Sequence, residues 1–314
     1  MLRLLLMLLG LAFATPVQAA CALAATSNPS FTPSSSYDVR NGAVASVTAP
    51  PTLSCSGTLI VLLSSNSARA TVNSANAFTL RNSANDSIAY RLSADSAGTR
   101  RFTQGSTIDY FDPSLLSLLG ILSGGNFVPT IYAALTDTPN IPAGTYTDIV
   151  TINWSWDVCH LLVALGICVL GESGTGTTTM TVTIVVGKDC RISAPNLSFN
   201  SAPLASQFTS ITQSVAVDCT KNAAYTVSFT NGNSGASRPW RAMSDGAGNV
   251  LQYNIYRADG STIWDLTNPL QSAVAGTGSL TPAQLQVYVA KINPDQPTPP
   301  AGHYTDTVSV LIAF

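Results

Sequence analysis

The sequence predicts an all-β fold: two immunoglobulin-like β-sandwich domains, the C-terminal one lacking its last strand. Three observations predict it. Apolar and polar residues alternate in short runs punctuated by turn dipeptides. Ser, Thr, Asn, Ala, Val and Gly dominate, while the helix formers Glu and Lys are scarce. The chain also repeats itself, and the two copies end differently. Residues 142–150 read Pro-Ala-Gly-Thr-Tyr-Thr-Asp-Ile-Val, and residues 300–308 read Pro-Ala-Gly-His-Tyr-Thr-Asp-Thr-Val. The offset is 304 − 146 = 158, which sets Trp156 against Phe314, the last residue of the sequence. Beyond Trp156 the first copy reaches a further alternating run, Thr-Thr-Met-Thr-Val-Thr-Ile-Val-Val at 178–186. The second copy has no counterpart to it.

Residues 1–19 have the pattern of a secretory signal peptide. Arg3 supplies the positive start, 4–14 the apolar stretch, and Val17-Gln18-Ala19 a small-residue cleavage site. That stretch is too short to span a bilayer, so the mature chain is expected to be exported. The remainder, roughly 295 residues, suits two domains. Charged residues make up 10% and the net charge is −2, which argues against a nucleic-acid partner, since that needs a basic footprint.

The two domains are expected at 20–187 and 188–314. Ile88-Ala-Tyr90-Arg-Leu92 aligns with Leu251-Gln-Tyr253-Asn-Ile255 at an offset of 163, which Leu80 and Met243 share. The first copy opens with Cys21 and Cys55, the second with Cys190 and Cys219. An even cysteine count in an exported chain implies disulfides. The repeat selects Cys21–Cys55, Cys190–Cys219 and therefore Cys159–Cys168. In the second copy 224–230 alternates, and Asp245-Gly246 and Asp259-Gly260 mark further hairpins. Tyr146 and Tyr304 open the penultimate strand, where a tyrosine corner sits in an immunoglobulin-like fold. Trp154 and Trp156 share a face with Val150 and Ile152 and are expected in the core.

The final strand of the sequence, 305–314, places Val308, Val310, Ile312 and Phe314 on one face. A sandwich buries the inner face of each strand. Without a following strand these residues are expected to line a donor-strand groove with unpaired backbone beside it. Left open, such an edge is an aggregation template, and the remedy is a strand added by another chain. The first copy begins with a cysteine already committed to a disulfide, so no donor extension is expected at the N-terminus. Such a subunit can accept a strand and cannot offer one, which suits one end of a head-to-tail polymer.

Catalytic chemistry finds no support in the motifs. His160 and His303 are the two histidines, and neither has a nucleophile or carboxylate at motif spacing. Cys159, His160 and Cys168 lack a fourth zinc ligand. Asp148 and Asp306 match across the copies and are expected to be structural. Gly174-Thr-Gly176 is taken as a linker turn and not a phosphate loop. No enzyme activity, cofactor or metal is expected.

Cys190-Arg-Ile-Ser, Leu251-Gln-Tyr-Asn-Ile-Tyr, Gly276-Thr-Gly and the 300–308 segment resemble the spore coat U domain. That domain is typical of subunits of archaic (Csu-type) chaperone–usher pili, and a two-domain member without a donor extension is similar to their tip adhesins. The resemblance implies a periplasmic pilus chaperone, an outer-membrane usher and a next pilus subunit that donates a strand. It implies a place at the cell surface on the pilus tip, and biofilm formation by attachment to abiotic hydrophobic surfaces through apolar loops of the N-terminal domain.

Two apolar islands of the first copy fit such loops. Leu115, Leu116, Leu118, Leu119, Ile121 and Leu122 crowd one connection, where the second copy is polar. Leu161, Leu162, Val163, Leu165 and Ile167 lie between Cys159 and Cys168, whose disulfide would restrict the loop. Connections are normally polar, and a large exposed apolar patch marks an interaction site. The 115–122 stretch also fits a short helix capping the core, and 161–167 a core segment. A third loop could come from 64–76. The alternative functions are a lectin-like adhesin for a host glycan or protein, a secreted coat or matrix protein, and loop insertion into lipid.

Overall fold

Period-two alternation becomes strand over much of the described chain, although the run expected over 305–314 is strand only at Val310–Ala313. The computed structural model describes residues 20–24, 26–50, 52–56, 66–115, 122–123, 126–162, 168–233, 238–279 and 283–314. The strands of the first half are β1 Ala20–Leu23, β2 Thr26–Ser27, β3 Ser34–Ser35, β4 Val47–Thr48, β5 Leu53–Ser56, β6 Ser67–Ser74, β7 Thr79–Arg81 and β8 Ser87–Ser93. They continue with β9 Thr107–Asp109, β10 Leu122–Ser123, β11 Asn126–Phe127, β12 Tyr132–Leu135, β13 Gly144–Leu162 and β14 Cys168–Gly187. The second half carries β15 Cys190–Ser193, β16 Ile211–Cys219, β17 Thr226–Phe229, β18 Arg241–Ser244, β19 Val250–Arg257, β20 Leu270–Gln271, β21 Gln284–Ile292 and β22 Val310–Ala313. A short α-helix, α1 Ser36–Arg40, is closed by a capping box between Ser35 and Asp38.

The chain packs as two compact all-β units, and the expected immunoglobulin-like sandwich architecture holds. The first comprises the chain through Thr32, Gly42–Thr138 and Thr145–Val185; the second comprises Pro33–Asn41, Pro139–Gly144 and Val186–Phe314. This division does not coincide with a single cut at residue 187. A repeat marks ancestry, whereas packing follows burial. Tyr37 and Val39 of α1 are buried in the second unit, where the Tyr37 hydroxyl donates to the Asp218 carbonyl at 2.8 Å. Asn140 likewise donates to the Thr277 carbonyl at 2.9 Å.

In the first unit one sheet runs β1-β5-β11-β10 and the larger one β2-β14-β13-β7-β8-β12-β4, with β6 also on β13. Ile88, Tyr90 and Leu92 point inward from β8. Across the β6–β13 pair, Trp154 faces Ala70 and Trp156 faces Ala68. Small residues opposite large ones let the ladder close over two indoles. Trp154 is buried and Trp156 half-buried.

In the second unit a five-stranded sheet, β15-β16-β21-β19-β18, faces a three-stranded one, β20-β17-β22. The turns at Asp245-Gly246 and Asp259-Gly260 take positive φ at both glycines, +79° and +67°, as turn geometry requires. All three expected disulfides are present: Cys21–Cys55, Cys159–Cys168 and Cys190–Cys219. Cys21 lies opposite Cys55 on β1–β5, and Cys190 opposite Cys219 on β15–β16.

The duplicated aspartates tie strands together in both units. Asp148 accepts from Ser74 Oγ at 2.6 Å, the Tyr90 hydroxyl at 2.6 Å and the Asn76 N–H at 3.0 Å. Asp306 accepts from the Tyr253 hydroxyl at 2.7 Å and the Asn233 N–H at 2.8 Å. Burial and the neighbouring carboxylate push both tyrosine hydroxyls far above their ordinary pKa. They are donors at any physiological pH. Replacing Asp148 by Ala leaves three donors without an acceptor, one of them on a buried tyrosine. The expected loss is about 3 kcal/mol of unfolding free energy, read from a denaturant titration.

Candidate strand-acceptor cleft and apolar connections

The repeat supplies its own structural control. β22 pairs with β17 so that Val310 faces Phe229 and Ile312 faces Val227. β13 pairs with β6 so that Ile152 faces Val72 and Trp154 faces Ala70. The offsets agree: 310 − 152 and 312 − 154 give 158, and 229 − 72 and 227 − 70 give 157. Thus β22 and β17 occupy in the second unit the places of β13 and β6 in the first.

What lies beyond them differs. In the first unit β14 covers the other edge of β13. The two run antiparallel: Cys159 joins Cys168, and Thr177 Oγ1 donates to Asn153 Oδ1 at 2.8 Å. β14 buries Met180, Val182, Ile184 and Val186 on its inner face. Its far edge pairs in parallel with β2, Ser30 and β3. There the Phe31 N–H donates to the Thr183 carbonyl at 2.9 Å, and the Thr183 N–H to the Pro29 carbonyl at 3.0 Å.

In the second unit β22 is an edge strand, with β17 its neighbour among the described residues. Beside it opens a cleft of about 960 Å³. One wall is 194–202, which follows β15 as 24–35 follows β1; the other is 301–308 with Val310. Its floor is apolar and aromatic: Phe208, Phe229, Met243, Leu251, Ile255 and Tyr288, with Tyr253 carrying its hydroxyl to Asp306. The cleft therefore lies between the counterparts of the two segments that hold β14 in the first unit.

Burial records the same difference. Val150 and Ile152 are 0% exposed and Trp154 2%, while Val308, Val310 and Ile312 are only half-buried and Phe314 is 54% exposed. Val308 and Val310 line the cleft, and Ile312 packs on the core. Phe314 departs from the expected groove set. It lies past β22, beside a separate hollow of about 170 Å³ with Tyr225 and Gln271, and Lys188 Nζ stands 5.4 Å from its ring centroid.

At the mouth of the cleft the Tyr304 hydroxyl donates to the Pro300 carbonyl at 2.7 Å, a bond back to the backbone four residues upstream, as a tyrosine corner makes. Tyr146, its counterpart, is pushed up to about 12 by burial, with Asp86 adding to the shift. His303 is exposed on the cleft wall.

The apolar connections are placed in part. Leu115 corrects an expectation: it is 1% exposed and belongs to the core rather than to a surface loop. A helical turn capped by Asp112 turns it inward, with the Leu115 N–H donating to the Asp112 carbonyl at 2.9 Å. The Phe111 ring beside it stacks on Phe127 at 4.7 Å. The helix-cap alternative thus describes this first residue. Leu116, Leu118, Leu119 and Ile121 lie outside the described residues, as do Val163, Leu165 and Ile167. Leu122 begins β10, and Leu161 and Leu162 end β13. Both arms of the Cys159–Cys168 bracket are strand, which narrows the connection to 163–167.

Gly174-Thr-Gly176 is also corrected. It is not a linker turn but part of β14. A Cβ on Gly174 would enter the Trp156 ring, and one on Gly176 would meet Leu23 Cδ1. These glycines let large side chains cross a strand.

Sequence inspection missed the 194–202 wall and the cleft floor. The signal was available. Phe229, Leu251, Tyr253 and Ile255 align with Val72, Ile88, Tyr90 and Leu92, all of which are buried in the first copy.

The family model described as "Spore Coat Protein U domain" matches residues 9–153 and again 176–311. No curated protein matches the chain. Among solved structures, the chain is similar to the CsuC–CsuE chaperone–tip adhesion subunit pre-assembly complex from archaic chaperone–usher Csu pili of Acinetobacter baumannii. The TM-score is 0.65 at 23% identity, covering 94% of this chain and all of that one. The CooA pilin subunit of enterotoxigenic Escherichia coli aligns at TM-score 0.29 and 14% identity over 54% of this chain and 99% of that one. The CupB6 tip adhesin of Pseudomonas aeruginosa aligns at 0.27 and 13% over 85% of each. Those two scores are too low to bear on the fold.

The paired positions give a direct test. Cysteines placed at Val308 and Val310 should react with a maleimide in the folded chain at least about a hundredfold faster than cysteines at Val150 and Ile152, which need local opening to be reached. Equal rates at the four positions would remove the distinction between an open and a closed unit.

Proposed function

We propose that this chain, which belongs to the Spore Coat Protein U domain family, is the tip adhesin subunit of an archaic chaperone–usher pilus. One observation carries the proposal. The second unit has an apolar cleft where the first unit, built on the same repeat, holds its own closing strand. A cleft of that shape, with an edge strand along it, suits a strand from another chain. During export the strand would come from a periplasmic chaperone. After passage through an outer-membrane usher it would come from the next pilus subunit. The fold-level likeness to a chaperone–tip adhesion subunit complex supports this partner class. A single open unit beside a self-closed one suits a subunit with one assembly joint, displayed on the cell surface at a pilus end.

The self-closed unit is the binding end in this proposal. Its two apolar connections, 116–122 and 161–167, would meet an abiotic hydrophobic surface and promote biofilm formation. The driving force is removal of apolar area from water, multiplied over many pili. Cys159–Cys168 would hold the second connection at its base.

Two experiments test the two halves of this function. Residues 176–187 appended through a short linker after Phe314 should close the cleft in cis. Four apolar side chains, about 1.5–3 kcal/mol each before ordering costs, should add at least about 3 kcal/mol to unfolding free energy in a denaturant titration. No gain would count against strand acceptance. Replacing Leu161, Leu162 and Leu165 by Ser should abolish adhesion to plastic while pilus assembly continues; unchanged adhesion would reject that connection as the contact.

A further inference from the structure

The position equivalent to Phe78 of the first unit is Arg241 in the second. Leu80 faces Ile88 on β7–β8, and Met243 faces Leu251 on β18–β19, so the offset is 163 on both strands. Phe78 sets its ring edge-on to Tyr90 at 6.0 Å. Arg241 instead is a guanidinium 3% exposed. Its Nε donates to the Thr230 carbonyl at 2.9 Å, and its Nη2 to the Trp264 carbonyl at 2.9 Å and the Phe229 carbonyl at 3.4 Å. Its Nη1 donates to Asn254 Oδ1. A buried charge persists only when its donors are satisfied, and here most are satisfied by acceptors that hold two sheets together. Arg241 and Asn254 belong to the five-stranded sheet; Phe229 ends β17, and Thr230 follows it, in the three-stranded one.

β17 is the strand on which β22 rests, and Phe229 is both a floor residue of the cleft and the partner of Val310. In the first unit β14 buries Met180, Val182 and Ile184 in the core. The second unit has apolar contacts on one side of the space between its sheets and the cleft on the other. We propose that Arg241 is a positioning residue for strand capture: it fastens the end of β17 to the facing sheet, so that the cleft is already spaced for an incoming strand. This rests on the strand-acceptor function above. The substitution of a phenylalanine position by an arginine follows from it. The closed unit has only a half-buried ring there, and the open one has directional bonds that hold without the closing strand.

The test uses the full chain and a synthetic peptide of residues 176–187 as the incoming strand. Wild type, Arg241→Lys and Arg241→Met are compared for the rate of peptide association. The same substitutions are made in the chain with 176–187 appended after Phe314. The expected result is at least about tenfold slower capture by R241M, an intermediate rate for R241K, and a clearly smaller loss of unfolding midpoint in the appended chain than in the open one. An R241M chain that folds only in the appended form is the extreme of the same result. Equal capture rates, or equal destabilisation of open and appended chains, would show Arg241 to be ordinary scaffolding and overturn the inference. Failure of the wild-type chain to take up the peptide would instead overturn the acceptor function itself.

Discussion

A β-sandwich is complete only when the inner face of each strand is covered and each buried backbone edge is paired. The rest of this molecule is arranged around how that constraint is met at one strand position. In the first unit β14 meets it from within the chain, with β13 on one edge and 26–31 on the other. Four apolar side chains enter the core from it. In the second unit the counterparts of those two segments, 194–202 and 301–310, stand on either side of a cleft. The consequence reaches single side chains: the valines and isoleucine of β13 and β22 differ in burial because of a strand that is not their own.

Polar groups then take a role that apolar packing has in a filled sandwich. The Tyr253–Asp306 pair reproduces Tyr90–Asp148, joining the floor of the cleft to its wall. Gly232, with φ +85°, leaves room for the Asp306 carboxylate that a Cβ would strike. Hydrogen bonds are directional and saturate, so they fix a distance between sheets as well as an attraction. An open cleft lined by aromatics would otherwise gain by closing on itself.

Much of this was legible in the sequence, because duplication turns one chain into two aligned examples. Alternation located the strands around Tyr90 and Tyr253 and, of the run expected over 305–314, the part at Val310–Ala313, and cysteine spacing within each copy selected the disulfides. The matched Asp148 and Asp306 marked a structural node before any contact was visible. Other features were hidden for physical reasons. Gly174 and Gly176 carry turn-like composition, but what decides their conformation is the bulk of Trp156 and Leu23, distant in sequence. Leu115 belongs to an apolar run that reads as exposed or buried with equal ease, and the Asp112 cap decides its direction. Phe314 keeps the right parity but lies past the end of the ladder. Arg241 looks like a solvated strand residue, since nothing local announces four acceptors converging from other elements.

The hairpin of β13 and β14 has two consequences that cannot be separated. Its inner faces complete the first sandwich. Its connection, five residues between Leu162 and Cys168, carries part of the apolar island proposed to bind surfaces. A disulfide joins the two arms, and Cys159 is buried, its N–H donating to Asn66 Oδ1 at 3.2 Å. An apolar loop on a mobile stalk would fold back on the protein and hide its area. Rooted in a strand pair whose other end is core, a loop in the proposed role would have a fixed base and a lower ordering cost on contact. In the proposed role, self-closure of the first unit would also suit that unit to display. The second unit shows no such hairpin among its described residues.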